Sequence, residues 1–284
     1  MAWYTIKLSG KEFAKPVFSG EGMIERMKDM TNKDILQVAM EQSALDINCK
    51  ATDFLCNEHV IVRSEVGASA RKYYKEPIAC NLVSYGNNIV ASVRDEYREI
   101  VEEYIGKFEF YHCFETPNLH WLDNRLSGKG QKVCFMAEYY LPDIDKLHTL
   151  SCDYELKILE QSDFMDLYQP EWSNALCEDR KELDVLGVGA FDAGKLIGLA
   201  GCSADCDTMW QIGVDVLPEY RRKGIAAAIT STLAVEILKR DKVPFYCSAW
   251  SNIRSVRNAI KSGFVLAWVE MTAKPADIVN EMNA

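Results

Sequence analysis

The stretch Val216-Leu217-Pro218-Glu219-Tyr220-Arg221-Arg222-Lys223-Gly224-Ile225-Ala226 constrains the chain more than any other. The residues before it, 208–216, read as a strand, and Pro218 has no N–H to give a sheet ladder, so the strand stops there. Beyond Gly224 the apolar residues Ile225, Ile229, Leu233 and Ile237 recur every fourth position, which is one face of a helix. A helix that begins this abruptly leaves successive backbone N–H groups without partners. Such groups hold anions, pyrophosphate among them, and the small Gly224 and Ala226 allow close approach. The same residues also describe a capped amphipathic helix with a basic, solvated start, so the stretch alone leaves two readings open.

Around this junction the C-terminal half alternates regularly. Strand 154–159 leads to helical pieces at 162–168, capped by Ser162, and 172–176. A hairpin of 185–191 and 195–201 turns at Asp192-Ala193-Gly194, and after the central strand and helix come strand 243–249, helix 252–262 and strand 264–271. This order predicts a mixed sheet flanked by helices, an α/β (α+β) class. Upstream, helix 34–45 follows Asn32 as cap, strands are expected at 60–62, 78–83, 107–115 and 132–140, and helix 92–105 carries the stripe Tyr97, Ile100, Val101, Tyr104 and Ile105. That half is mixed α and β as well, and none of its residues names a reaction. A chain of 284 residues suits two medium cores, and composition breaks near Leu141-Pro142-Asp143-Ile144-Asp145-Lys146. The expected domains are therefore 1–148 and 149–284.

Composition excludes several functions. No run of about 18 apolar residues is present, and Met1-Ala2-Trp3-Tyr4-Thr5-Ile6-Lys7 lacks the basic-then-apolar pattern of a signal peptide, so a cytoplasmic protein with no membrane partner is expected. The ten cysteines form no Cys-x-x-Cys pair, and His59, His112, His120 and His148 all lie far upstream of Cys202 and Cys206. Reduced, mostly buried thiols and no metal site are the expectation. A formal net charge of −10 opposes binding to nucleic acid and suits a small cationic amine better.

A second motif follows at 250–264, Trp250-Ser251-Asn252-Ile253-Arg254-Ser255-Val256-Arg257-Asn258-Ala259-Ile260-Lys261-Ser262-Gly263-Phe264. Read physically, Asn252 caps a helix with apolar residues Ile253, Val256 and Ile260, and Gly263 closes it. With Arg221-x-x-Gly224-x-Ala226 ahead of it, this segment resembles the paired signatures of the GNAT (GCN5-related N-acetyltransferase) superfamily. Asn252, Ser255, Lys261, Gly263 and Phe264 match the second signature in register. The resemblance runs from about Tyr154 to Met271 and looks like the two-domain bacterial members, whose N-terminal half can itself be a worn copy of the same fold.

The resemblance implies acetyl-CoA as co-substrate. The amides of Arg222, Lys223, Gly224, Ile225, Ala226 and Ala227, introduced by Arg221, would grip its pyrophosphate, while Asn252 and Ser255 would lie along its pantetheine arm. Backbone groups from Val214 to Val216 would stabilise the oxyanion. Many members place a glutamate where this chain has Gln211, and an amide is no base; Asp215, on the same strand face, is the substitute candidate, with a solvated strand-end carboxylate as its plainer role. Ala259 replaces the tyrosine that often protonates the leaving thiolate. Trp172, Trp210 and Trp250 are candidates for an acceptor pocket or for core, and Arg254, Arg257 and Lys261 for a solvated face or a contact to the cofactor's 3′-phosphate. The function so implied is N-acetylation of a small primary amine, with the N-terminal domain shaping the acceptor side. A protein N-acetyltransferase and a non-catalytic acetyl-CoA-binding module are the alternatives. A homodimer is allowed by the sequence and not demanded by it.

Overall fold

The computed structural model describes residues 30–284; the N-terminal residues read above for a signal peptide lie outside the described residues. Among the described residues ten strands form one sheet. In chain order they are β1 (Val60–Arg63), β2 (Cys80–Ser84), β3 (Val90–Val93), β4 (Gln131–Pro142), β5 (Glu155–Glu160), β6 (Asp184–Asp192), β7 (Lys195–Ser203), β8 (Met209–Val216), β9 (Val243–Ser248) and β10 (Phe264–Pro275). The spatial order is β1-β3-β2-β10-β4-β9-β8-β7-β6-β5. All neighbours are antiparallel except β1 with β3 and β8 with β9. The sheet crosses the sequence boundary at 148/149: β10 lies between β2 and β4, and β4 lies between β10 and β9.

Among the described residues six α-helices cover it: α1 (Asn32–Ile47), α2 (Arg98–Lys107), α3 (Thr116–Ser127), α4 (Ile225–Leu238), α5 (Ile253–Lys261) and α6 (Ala276–Met282). Among the described residues no helix is long and apolar enough to cross a membrane. On the sheet face that carries Met209, Phe245 and Tyr139, α1 buries Ile35, Ala39, Met40 and Ala44. The other face near β8 packs α4 through Ile225, Ile229, Leu233 and Ile237, the predicted stripe. The buried Trp268 stacks on Tyr139 at 4.6 Å and on Tyr85 at 5.5 Å, tying the central strands to the N-terminal half. Each such pair adds about 1 kcal/mol beyond the area it buries. Arg71 and Asp46 form an ion pair that is 1% exposed at both ends, with the guanidinium 4.9 Å from the Phe245 ring.

Several local expectations are corrected. The cap of α1 is Thr31, whose side chain accepts from the Asp34 N–H while Asp34 reciprocates to Thr31, a capping box. Residues 90–93 pair with β2, so the helix read from 92 starts only at Arg98. Residues 110–114 form a single 3₁₀ turn where a strand was expected: Tyr104 Oη donates to the Cys113 carbonyl at 2.6 Å and folds the segment back on α2. The helical pieces after β5 are likewise single 3₁₀ turns, and the first is capped by Glu160, with Ser162 inside it. Helices α3 and α6 were not anticipated. All ten cysteines are free thiols, and no cluster of metal-ligating side chains occurs among the described residues.

Candidate functional site

The parallel pair β8 and β9 is in register only from Met209 with Val243 to Ile212 with Tyr246. Beyond Ile212, β8 continues against β7 as far as Val216, whereas β9 turns away. Gly213, Val214, Asp215 and Val216 thus have a neighbouring strand on one side only, and the backbone groups on their other side open into a cleft. That cleft is the mouth of a cavity of about 1070 Å³, large enough for a cofactor and a small acceptor together.

The cavity passes through the gap between the two strands. Strand alternation sorts its walls. On the α4 side lie Ile212, Val214, Val216, Arg221, Arg222 and Ala226, faced by Tyr246, Asn252, Arg254, Ser255 and Arg257 from β9 and α5. On the opposite side lie Phe135, Asn174, Gln211, Asp215 and Cys247. Phe135, on β4 and 43% exposed, is the lining residue from before position 149.

At the start of α4 the chain makes a tight cup. Arg222 and Gly224 both adopt positive φ, 64° and 81°, and Gly224 is the N-cap. The first bond of the helix runs from the Ala228 N–H to the Gly224 carbonyl at 3.1 Å. Among the described residues the N–H groups of Arg222, Lys223, Gly224, Ile225, Ala226 and Ala227 have no partner. A loop with alternating positive φ and successive unpaired amides is an anion cradle, and this one sits at a helix N-terminus. The side chains divide differently: Ile225 and Ala227 are buried in the core, and Lys223 Nζ turns away to Tyr154 Oη at 3.1 Å. Arg221 Nε donates to the Val216 carbonyl at 3.0 Å, which braces the loop against the end of β8.

On α5, Asn252 caps the helix by accepting from the Ser255 N–H at 3.3 Å, as its place in the motif requires. The Ser255 hydroxyl lies 2.8 Å from Tyr246 Oη, and burial pushes that phenol above its ordinary value. Ala259 is fully buried in the core and does not line the cavity, whereas Tyr246, the phenol next in line on the strand before Asn252, does.

Asp215 has a role other than the two considered for it. Its Oδ2 accepts from the backbone N–H groups of Asn174 at 2.8 Å and Ala175 at 3.0 Å, and its Oδ1 accepts from Asn174 Nδ2 at 2.7 Å. The carboxylate is therefore a clamp on the segment that crosses the sheet at Asn174. Two glycines paired across β7 and β8 make this crossing possible: a Cβ on Gly213 would lie 1.7 Å from the Asn174 carbonyl oxygen, and one on Gly201 2.2 Å from that of Ala175. Sequence reasoning missed Asn174, whose only signal is indirect, a pair of glycines inside apolar strands. Because Asp215 can only accept, it turns the Asn174 amide so that Oδ1, unpaired among the described residues, is the free end. Gln211 Nε2 donates to Cys247 Sγ at 3.1 Å, and burial pushes that thiol up to about 11, leaving it protonated at neutral pH.

None of the three candidate tryptophans lines the cavity. Trp172 is buried against Phe164 and Leu199, Trp210 packs on the core beside α4, and Trp250 is 58% exposed. Of the basic stripe on α5, Arg254 and Arg257 line the cavity and Lys261 does not.

A family model described as GNAT acetyltransferase matches residues 122–267, just over half of the chain. The match begins inside α3 and includes β4, well upstream of the boundary expected from composition. No curated protein matches the chain. Similar solved structures include a GCN5-related N-acetyltransferase-like protein from Streptococcus suis, at 18% identity over 56% of this chain and 68% of that one, TM-score 0.42. An acetyltransferase from the GNAT family of Colwellia psychrerythraea is 15% identical over 70% of this chain and 82% of that one, TM-score 0.41. A GCN5-related N-acetyltransferase from Kribbella flavida is 14% identical over 56% of this chain, TM-score 0.41, and the match spans less than two thirds of its own length, 64%. These likenesses concern fold alone.

Proposed function

We propose, from the premise that the chain belongs to the GNAT acetyltransferase family, that it moves an acetyl group from acetyl-CoA to a primary amine of a small molecule. The observation that carries this reading is the cavity through the β8–β9 gap, with unpaired amides and arginines at one end and amides and an aromatic ring at the other. The residues present fit the co-substrate. The cradle at 222–227 would hold its pyrophosphate, and Asn252, Ser255 and Tyr246 border the path toward the gap. When bound, acetyl-CoA supplies an acyl group on a thiol of pKa about 8.5, which departs readily as thiolate.

The protein's own groups then have limited tasks. Backbone N–H groups on the open edge of β8, from Gly213 to Val216, are the donors for the oxyanion. Tyr246 stays protonated and stands on the cofactor side as an available donor. On the acceptor side Gln211 is no base and Asp215 is occupied, so the amine is deprotonated by water and the site contributes orientation. Asn174 Oδ1 faces the acceptor as a carbonyl, and Phe135 gives the N-terminal half a part in shaping that side.

The test is calorimetry with acetyl-CoA, followed by thiol release across a panel of amines with products identified by mass. Micromolar binding and turnover with small amines support the reading. Turnover confined to peptides would move the assignment to a protein N-acetyltransferase. Gln211 at the usual base position favours one other reading, a module that binds acetyl-CoA without catalysis, and binding with no thiol release from any amine would establish it.

A further inference from the structure

Four arginines line the cavity, Arg221, Arg222, Arg254 and Arg257, in a chain whose formal net charge is −10. Among the described residues, none of the four has a carboxylate within ion-pair distance. Acidic residues outnumber basic ones, 42 to 32, so four unpaired cations around one cavity concentrate positive potential against the background of the molecule. They fall into two groups. Arg221 and Arg222 belong to the cradle that starts α4. Arg254 and Arg257 stand on a different helix, α5, three residues apart and so on one face of it. Neither makes a hydrogen bond within the described protein, both are exposed, and like charges at this spacing repel. A solvated face needs no such pair turned toward the cavity, and Lys261, the next basic residue along the helix, is not turned there.

Two separate cationic loci on one cavity match a ligand with two separate anionic groups. The cradle, with its successive amides, accounts for a pyrophosphate. The α5 pair is left for a second, dianionic group, and guanidinium forks suit phosphate. We propose that Arg254 and Arg257 form a subsite for the ribose 3′-phosphate of the donor, and so select free CoA thioesters over phosphopantetheine carriers that lack this group. The proposal rests on acetyl-CoA as co-substrate, and its test is chosen to separate the two.

The experiment is calorimetry of the full chain with CoA and with 3′-dephospho-CoA at one fixed ionic strength, for the native protein and for R254Q, R257Q and the double variant. Both side chains are exposed, so the variants keep the fold, which circular dichroism verifies. Native protein binds CoA about tenfold tighter than the dephospho form, the size expected of two solvent-exposed ion pairs. The double variant binds both at the native protein's level for dephospho-CoA, and raising the salt narrows the native difference. Equal native affinities for the two ligands overturn the subsite while leaving the cofactor reading intact. A native preference that survives in the double variant also overturns it, by placing the 3′-phosphate elsewhere. Absence of binding by either ligand overturns the subsite together with the cofactor reading.

Discussion

Replacing Gly213 by alanine tests whether the two ends of the cavity are separate in function. The new Cβ would lie 1.7 Å from the Asn174 carbonyl oxygen, and ordinary contact between such atoms needs about 3.3 Å. The obstruction is backbone on both sides, so no rotamer relieves it, and the crossing segment has to lift by roughly 1.6 Å, the difference between those distances. A lift of that size stretches the bonds from Asn174 N, Asn174 Nδ2 and Ala175 N to Asp215, now 2.7–3.0 Å, beyond hydrogen-bonding range. At about 1 kcal/mol each, the loss of three bonds lowers stability by about 3 kcal/mol, read as a shift of the urea midpoint. In the folded fraction Asn174 leaves the acceptor wall, so KM for the amine rises about tenfold or more, while CoA affinity measured by calorimetry stays within about twofold, because the arginines and the cradle lie across the sheet. D215N supplies the companion: it loses the charge of the clamp without the clash and shows the same KM effect in milder form. Unchanged amine kinetics in a G213A protein proven folded, or an equal loss of CoA affinity, would refute the division of the cavity.

Other outcomes follow from the same geometry. In G224E the added Cβ meets no atom within 4 Å, so the change costs about 1 kcal/mol of left-handed strain but puts a negative charge among the unpaired amides; CoA affinity falls about a hundredfold by calorimetry in a folded protein. The log of kcat/KM rises with pH as the amine deprotonates and then levels off, because Tyr246 keeps its proton past the ordinary phenol value; a reversible fall near pH 9 in folded protein would expose another acid. R71M leaves the buried Asp46 carboxylate without its partner and costs about 3–5 kcal/mol by urea titration, with kinetics of the folded fraction unchanged. A fragment starting at residue 141 loses nearly all of β4, the strand between β9 and β10, so it fails to bind CoA; calorimetry on a soluble fragment showing native affinity would contradict the shared sheet.

Most of the geometry where α4 and α5 begin was legible in the sequence because its determinants are local. A proline that ends a strand, a glycine that starts a helix and an asparagine that caps the next one act within a turn or two of themselves. The helix start at Gly224 and the α5 cap at Asn252 accordingly stand where local sequence put them. The strands of the C-terminal half and helices α4 and α5 followed from periodicity for the same reason, while 92–93 and 110–114 were misread because pairing with β2 and packing on α2 decided them. The opposite side of the cavity is different in kind. Asp215 and Asn174 are 41 residues apart, and Phe135 comes from a strand on the far side of β9. Nothing in their neighbours along the chain announces that a carboxylate will be a clamp or that an aromatic residue will face a cavity. What the sequence by itself determined was the strand-to-helix junction with its unpaired amides and the helices flanking it, through short-range backbone geometry. What only the tertiary structure decided was who shares the cavity with that junction, because register across a sheet built from both halves of the chain brings those residues together.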